Sequence, residues 1–176
     1  MIASAIPVVA LVSQIVLVFF FLVFLFRNSW GRGFSNFVGK NALLFGFMAA
    51  LVAVSLSLFY SEVVGFEPCS LCWWQRVLTY PLLILFAVAL KKRDRSVFSY
   101  VLPLSVVSAV IALYQSYANL GGASILPCTA VGGACSKVFV LEYGFLTIPL
   151  MSLTVALYFI LGTLFSRNYE KNNSNT

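Results

Sequence analysis

The chain has 176 residues, of which 61% are hydrophobic and 9% charged, and its formal charge is +6. A soluble domain carries about 25% charged residues, so eleven bases and five acids cannot coat a water-soluble globule of this size. The composition excludes a soluble enzyme, a disordered chain and a secreted disulfide mini-protein, and leaves an all-α integral membrane protein. The sequence has no histidine, which excludes a Ser-His-Asp triad, a Cys-His nucleophile pair, a His-ligated haem and His-containing zinc sites.

A membrane-crossing helix needs about 20 mostly apolar residues. Five stretches meet this length: Ala5–Phe26, Ala42–Tyr60, Trp73–Leu90, Phe98–Ala118 and Phe145–Phe165. Each is apolar all round, so length and lack of charge decide the assignment, not periodicity. The first lacks a basic residue before its apolar run and a small-residue cleavage pattern after it, and it is too long for a signal core. It reads as a retained span with its N-terminus outside. Pro149 and Pro103 fall early in the fifth and fourth spans, where a missing N–H costs little. Pro81 lies deeper in the third and is expected to bend it.

The connecting segments set the orientation. Arg27, Arg32, Lys40, Lys91, Lys92, Arg93, Arg95, Arg167 and Lys171 fall on one side, Lys137 falls on the other, and Arg76 lies inside the third span. The positive-inside rule makes the nine-base side cytoplasmic. The bases flank apolar runs, so they serve orientation and not nucleic-acid binding. The polar tail Asn168–Thr176 is expected to fray.

All four cysteines then lie on the outer side, where disulfides persist. Cys69 and Cys72 stand in Pro68-Cys69-Ser70-Leu71-Cys72, just before the third span, and Cys128 and Cys135 stand in the segment before the fifth. A C-x-x-C disulfide closes a very small ring and is easily reduced. At a helix N-terminus, unpaired backbone N–H groups and the helix dipole favour an anionic sulfur. If the helix starts by Cys72, Arg76 lies one turn on, on the same face. A guanidinium at that depth needs a partner, and a thiolate or a reducible carbonyl oxygen would serve. Plainer readings stand beside these. Cys69 and Cys72 also suit a structural clip or half a zinc site, and Cys128 and Cys135 suit a loop brace. Arg76 also suits a snorkelling base, and Trp73 and Trp74 an aromatic belt.

The run Pro68-Cys69-Ser70-Leu71-Cys72-Trp73-Trp74-Gln75-Arg76 resembles the signature of the DsbB/BdbC family of disulfide-bond formation membrane proteins. Pro127-Cys128 through Cys135-Ser136, followed by Glu142-Tyr143-Gly144-Phe145-Leu146-Thr147-Ile148-Pro149-Leu150, is similar to that family's approach to its last span. The resemblance covers Ala42 to Phe165. It implies a four-helix transmembrane bundle in a bacterial cytoplasmic membrane, with a quinone site near the outer surface. The span Ala5–Phe26 is extra to the family's four, and the short spacing of Cys128 and Cys135 places the chain nearer the BdbC-like branch. The implied organisation is an extra helix and cytoplasmic loop over 1–40, the DsbB-like domain over 41–167, and a disordered cytoplasmic tail over 168–176.

The family re-oxidises a soluble DsbA-like, thioredoxin-fold dithiol oxidase. Carried onto this chain, Cys128 and Cys135 form the disulfide that the partner's thiol attacks. Cys69 and Cys72 form the pair beside the quinone, ubiquinone or menaquinone, and Arg76 matches the quinone-proximal arginine. Cys72 is the expected sulfur facing the quinone and Cys69 the resolving one. Gln75, Trp73, Tyr114 and Gln115 are weaker candidates for the same pocket, and no metal is implied. Two other readings compete. A vitamin K epoxide reductase-like enzyme also pairs loop cysteines with a membrane-edge C-x-x-C, but there the C-x-x-C follows the loop pair, and here it precedes it. A non-catalytic scaffold would hold two structural disulfides.

Overall fold

The computed structural model describes residues 2–26, 32–65, 68–119 and 147–174. Among these the chain forms six α-helices: α1 (Ile2–Leu25), α2 (Arg32–Lys40), α3 (Ala42–Leu58), α4 (Ser70–Lys92), α5 (Phe98–Asn119) and α6 (Ile148–Ser174). All but α2 are long and apolar enough to cross a membrane. The architecture is that of an all-α membrane protein, and the five long helices coincide with the five apolar stretches. The ends differ by a few residues, because hydrophobicity marks the hydrocarbon-facing part of a helix and hydrogen bonding continues beyond it.

Contacts between neighbours close α3, α4, α5 and α6 into a ring: α3 packs on α4, α4 on α5, α5 on α6, and α6 back on α3. Helix α1 lies outside the ring against α6. Four bundled helices plus one extra is therefore the observed arrangement. Lipid is as apolar as leucine, so helix association rests on close van der Waals packing and hydrogen bonds, and small residues belong at the contacts. Ala50, Ala112, Ser105 and Thr163 are all 0% exposed. The buried hydroxyls are satisfied within their own helices, Ser105 donating to the Val101 carbonyl at 2.8 Å and Thr163 to that of Phe159 at 2.8 Å.

Phe86 sits at the centre of the ring, with its ring 6.0 Å from Phe98 and 5.7 Å from Phe159. Gly46 on α3 makes room for it, since a Cβ there would come within 2.4 Å of Phe86 Cε1. Helix α1 is held by Tyr158 of α6, whose hydroxyl donates to the Ser13 carbonyl at 2.6 Å. Phe24 adds an edge-to-face contact with Phe165 at 5.3 Å.

Two segments differ from the sequence expectation. The stretch between the first two spans, read as a loop, contains α2. Phe34, Phe37 and Val38 recur at helical spacing there, but nine residues are too short to register as a span. Val38 and Ser35 are buried, and the helix packs on α6. The tail, expected to fray from Asn168, continues α6 as helix to Ser174. Tyr169 in this extension lies against α2, its Cβ near Gly39.

The turn after α4 ties these pieces together. Arg93 ends α4 in the left-handed conformation, φ 55°, and Asp94 N–H returns to the Ala89 carbonyl at 3.0 Å. The Asp94 carboxylate accepts from the Ser96 N–H at 2.9 Å, which holds the carboxyl below its usual range. Arg95 then reaches across the bundle. Its guanidinium donates to the Gly39 carbonyl at 2.9 Å, the Lys40 carbonyl at 2.7 Å and the Ser166 hydroxyl at 3.2 Å. It also stacks over the Tyr169 ring at 4.8 Å. The carbonyls it takes belong to the last turn of α2, where no intrahelical donor remains. Its place between apolar runs marks Arg95 only as an orienting charge, and these contacts make it a structural tie as well.

Candidate redox site

The site is built at the start of α4. Its N-cap is Cys69, in extended backbone with φ −68° and ψ 168°, and the Cys69 sulfur accepts from the Cys72 N–H at 3.3 Å. A thiol here occupies the place that a serine or aspartate oxygen takes at most helix starts. The helix therefore begins one residue after Cys69 and is under way by Cys72, as expected, so the C-x-x-C spans its first turn. The two sulfurs lie 2.8 Å apart in hydrogen-bond contact. Cys69 is 6% exposed, and Cys72 is partly buried.

A helical turn further on, Arg76 donates to the Ser57 carbonyl of α3 at 3.1 Å, and its Cζ lies 5.3 Å from the centre of the Trp73 ring. The partner the guanidinium needed is thus a backbone carbonyl and an aromatic face. A guanidinium has five N–H donors, and the Ser57 bond engages one of its nitrogens. Tyr80, a further turn along, donates to the Ser57 hydroxyl at 3.4 Å.

These groups face a cavity of about 170 Å³ between α3, α4 and α6. Its apolar wall includes Ala53, Leu56, Ile148, Met151 and Val155; its polar lining includes Ser57, Gln75, Arg76, Tyr80 and the side chain of Cys72. A π-helical turn, Phe59–Val63, extends α3 and places Tyr60 and Ser61 in the cavity lining. Such wide turns recur at functional sites because they shift the side chains that follow.

The sequence candidates divide. Cys72, Arg76 and Gln75 line the cavity. Cys69 is buried behind Cys72 with Leu71, Ile111 and Tyr114. Tyr114 thus packs against the cysteine pair and is not among the cavity-lining residues. Trp73 contacts Arg76 but is 56% exposed and does not line the cavity either. Gln75 is turned toward α5, its Nε2 donating to Gln115 Oε1 at 3.3 Å. Gln115 Nε2 in turn lies 3.3 Å from the Cys69 sulfur and 3.4 Å from the Cys72 sulfur. Cys128 and Cys135 lie outside the described residues.

The family model for the disulfide bond formation protein DsbB matches residues 39–165. The chain belongs to the DsbB family. Disulfide bond formation protein C of Bacillus subtilis is 36% identical over 127 residues, covering 69% of this chain and 91% of that protein. A probable disulfide formation protein of Oceanobacillus iheyensis is 40% identical over 120 residues, 64% of this chain and 79% of the relative. One from Metapseudomonas resinovorans is 38% identical over 115 residues, 64% of this chain and 80% of the relative. No solved structure matches. DsbB membership makes the chain a multi-pass membrane thiol oxidoreductase of disulfide bond formation, and the matched region takes in the whole α3–α5 segment while leaving α1 outside.

Sequence reasoning missed Ser57, Tyr80, Met151 and Ser152 as cavity residues, and ranked Gln115 low. The available signal was polarity inside an apolar run: Ser57, Tyr80, Gln115 and Ser152 all interrupt stretches assigned to hydrocarbon, where polar groups are expensive and point inward.

Proposed function

We propose that the chain re-oxidises an extracytoplasmic DsbA-like, thioredoxin-fold dithiol oxidase and passes the electrons to membrane quinone. The carrying observation is that the Cys72 side chain and the Arg76 guanidinium line one largely apolar cavity at the end of a membrane-crossing helix. The lining suits a quinone head group: apolar walls from Leu56, Met151 and Val155, with Arg76 as the donor for a carbonyl oxygen. When bound, a quinone supplies a two-electron, two-proton acceptor.

The protein's own residues do the rest. The partner's thiolate attacks the Cys128–Cys135 disulfide, forms a mixed disulfide, and leaves oxidised once its second thiol resolves that bond. The reduced pair then attacks Cys69–Cys72, so a disulfide is conserved at each exchange and one electron pair moves inward. Cys72 faces the cavity and Cys69, beside it, closes the disulfide again. Arg76 places positive charge where negative charge develops on an acceptor oxygen, a preorganised term of several kcal/mol in a dry site. In this reading the domain over 41–167 carries the chemistry, α1 and α2 are additions to it, the cysteines face the outside, and the C-terminus is cytoplasmic.

The test is turnover by the purified full chain with a reduced thioredoxin-fold partner and ubiquinone or menaquinone. Partner oxidation coupled one-to-one to quinone reduction is the expected result. A membrane-impermeant thiol reagent should label the reduced cysteines from outside only; labelling from the cytoplasmic side overturns the topology.

A further inference from the structure

Gln75 and Gln115 are the two large buried amides of the ring, 8% and 4% exposed, and they come from different helices. Burying an amide away from water costs free energy unless its donors and acceptor are engaged. Here the engagement has a direction. The Gln115 oxygen is held by the Gln75 amide at 3.3 Å, which leaves the Gln115 NH₂ group aimed at the cysteines. That nitrogen is almost equidistant from the two sulfurs, 3.3 and 3.4 Å. An amide NH₂ has two hydrogens, so one side chain can serve both sulfurs.

We infer that Gln115 is a positioning residue for the C-x-x-C pair, oriented by Gln75, and that it stabilises whichever sulfur carries negative charge during thiol–disulfide exchange. The inference rests on the proposed redox role of Cys69 and Cys72. In the exchange an incoming thiolate forms a bond to one sulfur, the Cys69–Cys72 bond breaks, and its electron pair leaves with the other sulfur as a thiolate. A donor reaching only one sulfur would favour a single direction of attack. A donor shared between both lowers the cost of the leaving thiolate in either direction and stabilises the reduced pair over the disulfide. Gln75 acts one step back, by keeping the Gln115 oxygen away from the sulfurs, where its lone pairs would repel the thiolate.

The alternative is that the two amides only cross-link α4 to α5. The experiment separating these uses the full chain with Cys128→Ser and Cys135→Ser, so that Cys69 and Cys72 alone equilibrate with a dithiothreitol redox buffer. Methionine is close to glutamine in shape and has no donor. Gln115→Met is expected to shift the equilibrium toward the disulfide about tenfold, which is about 30 mV. Gln75→Met is expected to shift it about threefold in the same direction. Because Gln75 acts through Gln115, the double variant should match Gln115→Met alone.

A shift within twofold of the parent for Gln115→Met overturns the inference, as does a full additional effect of Gln75→Met in the double variant. A cross-link alone predicts equal losses of melting temperature and no redox shift. If Gln115→Met does not fold, Gln115→Asn, one methylene short of spanning both sulfurs and Gln75, carries the test: a shift of threefold or more supports the inference and one within twofold overturns it. A parent pair that responds to no buffer ratio overturns the redox reading itself, which keeps the two failures distinct.

Discussion

Helix α4 has an arginine near each end, and the two are used in opposite ways. Arg95, just past the C-terminal end, makes three hydrogen bonds to α2 and α6 and stacks on Tyr169. Arg76, near the N-terminal end, makes one among the described residues, to the Ser57 carbonyl, and stacks on Trp73, and it borders a cavity. Both obey the same rule, that a guanidinium in an apolar bundle needs carbonyl oxygens and an aromatic face. The difference is the number of partners among the described residues. Arg95, with three, ties α2 to α6, while Arg76, with one, borders a cavity and a sulfur. Number of described partners, more than charge, separates the two arginines.

Four measurements bear on that contrast. The largest effect belongs to the sulfur that Arg76 accompanies. Cys72→Ser should lower turnover with a reduced partner by at least about a thousandfold, about 4 kcal/mol, with an unchanged melting temperature; retained turnover would remove the reason to treat this end as the working one. Arg76→Ala should raise the quinone KM about thirty- to hundredfold, about 2–3 kcal/mol for a lost charged donor, again with little change in melting. Arg95→Ala should do the reverse. It leaves two helix-end carbonyls and the Ser166 hydroxyl without their donor, a loss of about 2 kcal/mol of stability, while KM stays within twofold. If Arg95→Ala changed KM and Arg76→Ala changed only stability, the contrast would be inverted. The smallest effect tests the packing between the two ends. Gly46→Ala should cost about 1–2 kcal/mol by pressing on the buried Phe86 ring, read as a lower melting temperature with turnover per folded molecule unchanged.

The sequence made some of this legible and hid the rest for identifiable reasons. The five long helices were visible because apolar length is a local property, and Cys69, Cys72 and Arg76 stood out because their chemistry is rare in such a chain. Helix α2 was hidden because nine mixed residues form a helix only with α6 to pack against. The tail was read as frayed because Asn168–Thr176 is polar, yet Tyr169 finds α2 and the helix continues. Gln115 was named but ranked low, since nothing local shows that position 115 meets residues 40 and 46 places earlier.

What the sequence determined by itself was the number and order of the long helices and the chemical type of the site: a C-x-x-C pair at a helix start with an arginine one turn on. What only the tertiary structure decided was which faces meet. The spans are apolar on every side because lipid surrounds them, so no periodic pattern marks the inward face. Closure of α3, α4, α5 and α6 into a ring chose those faces. The cavity, the carbonyl partner of Arg76 and the amide held over both sulfurs all follow from that closure.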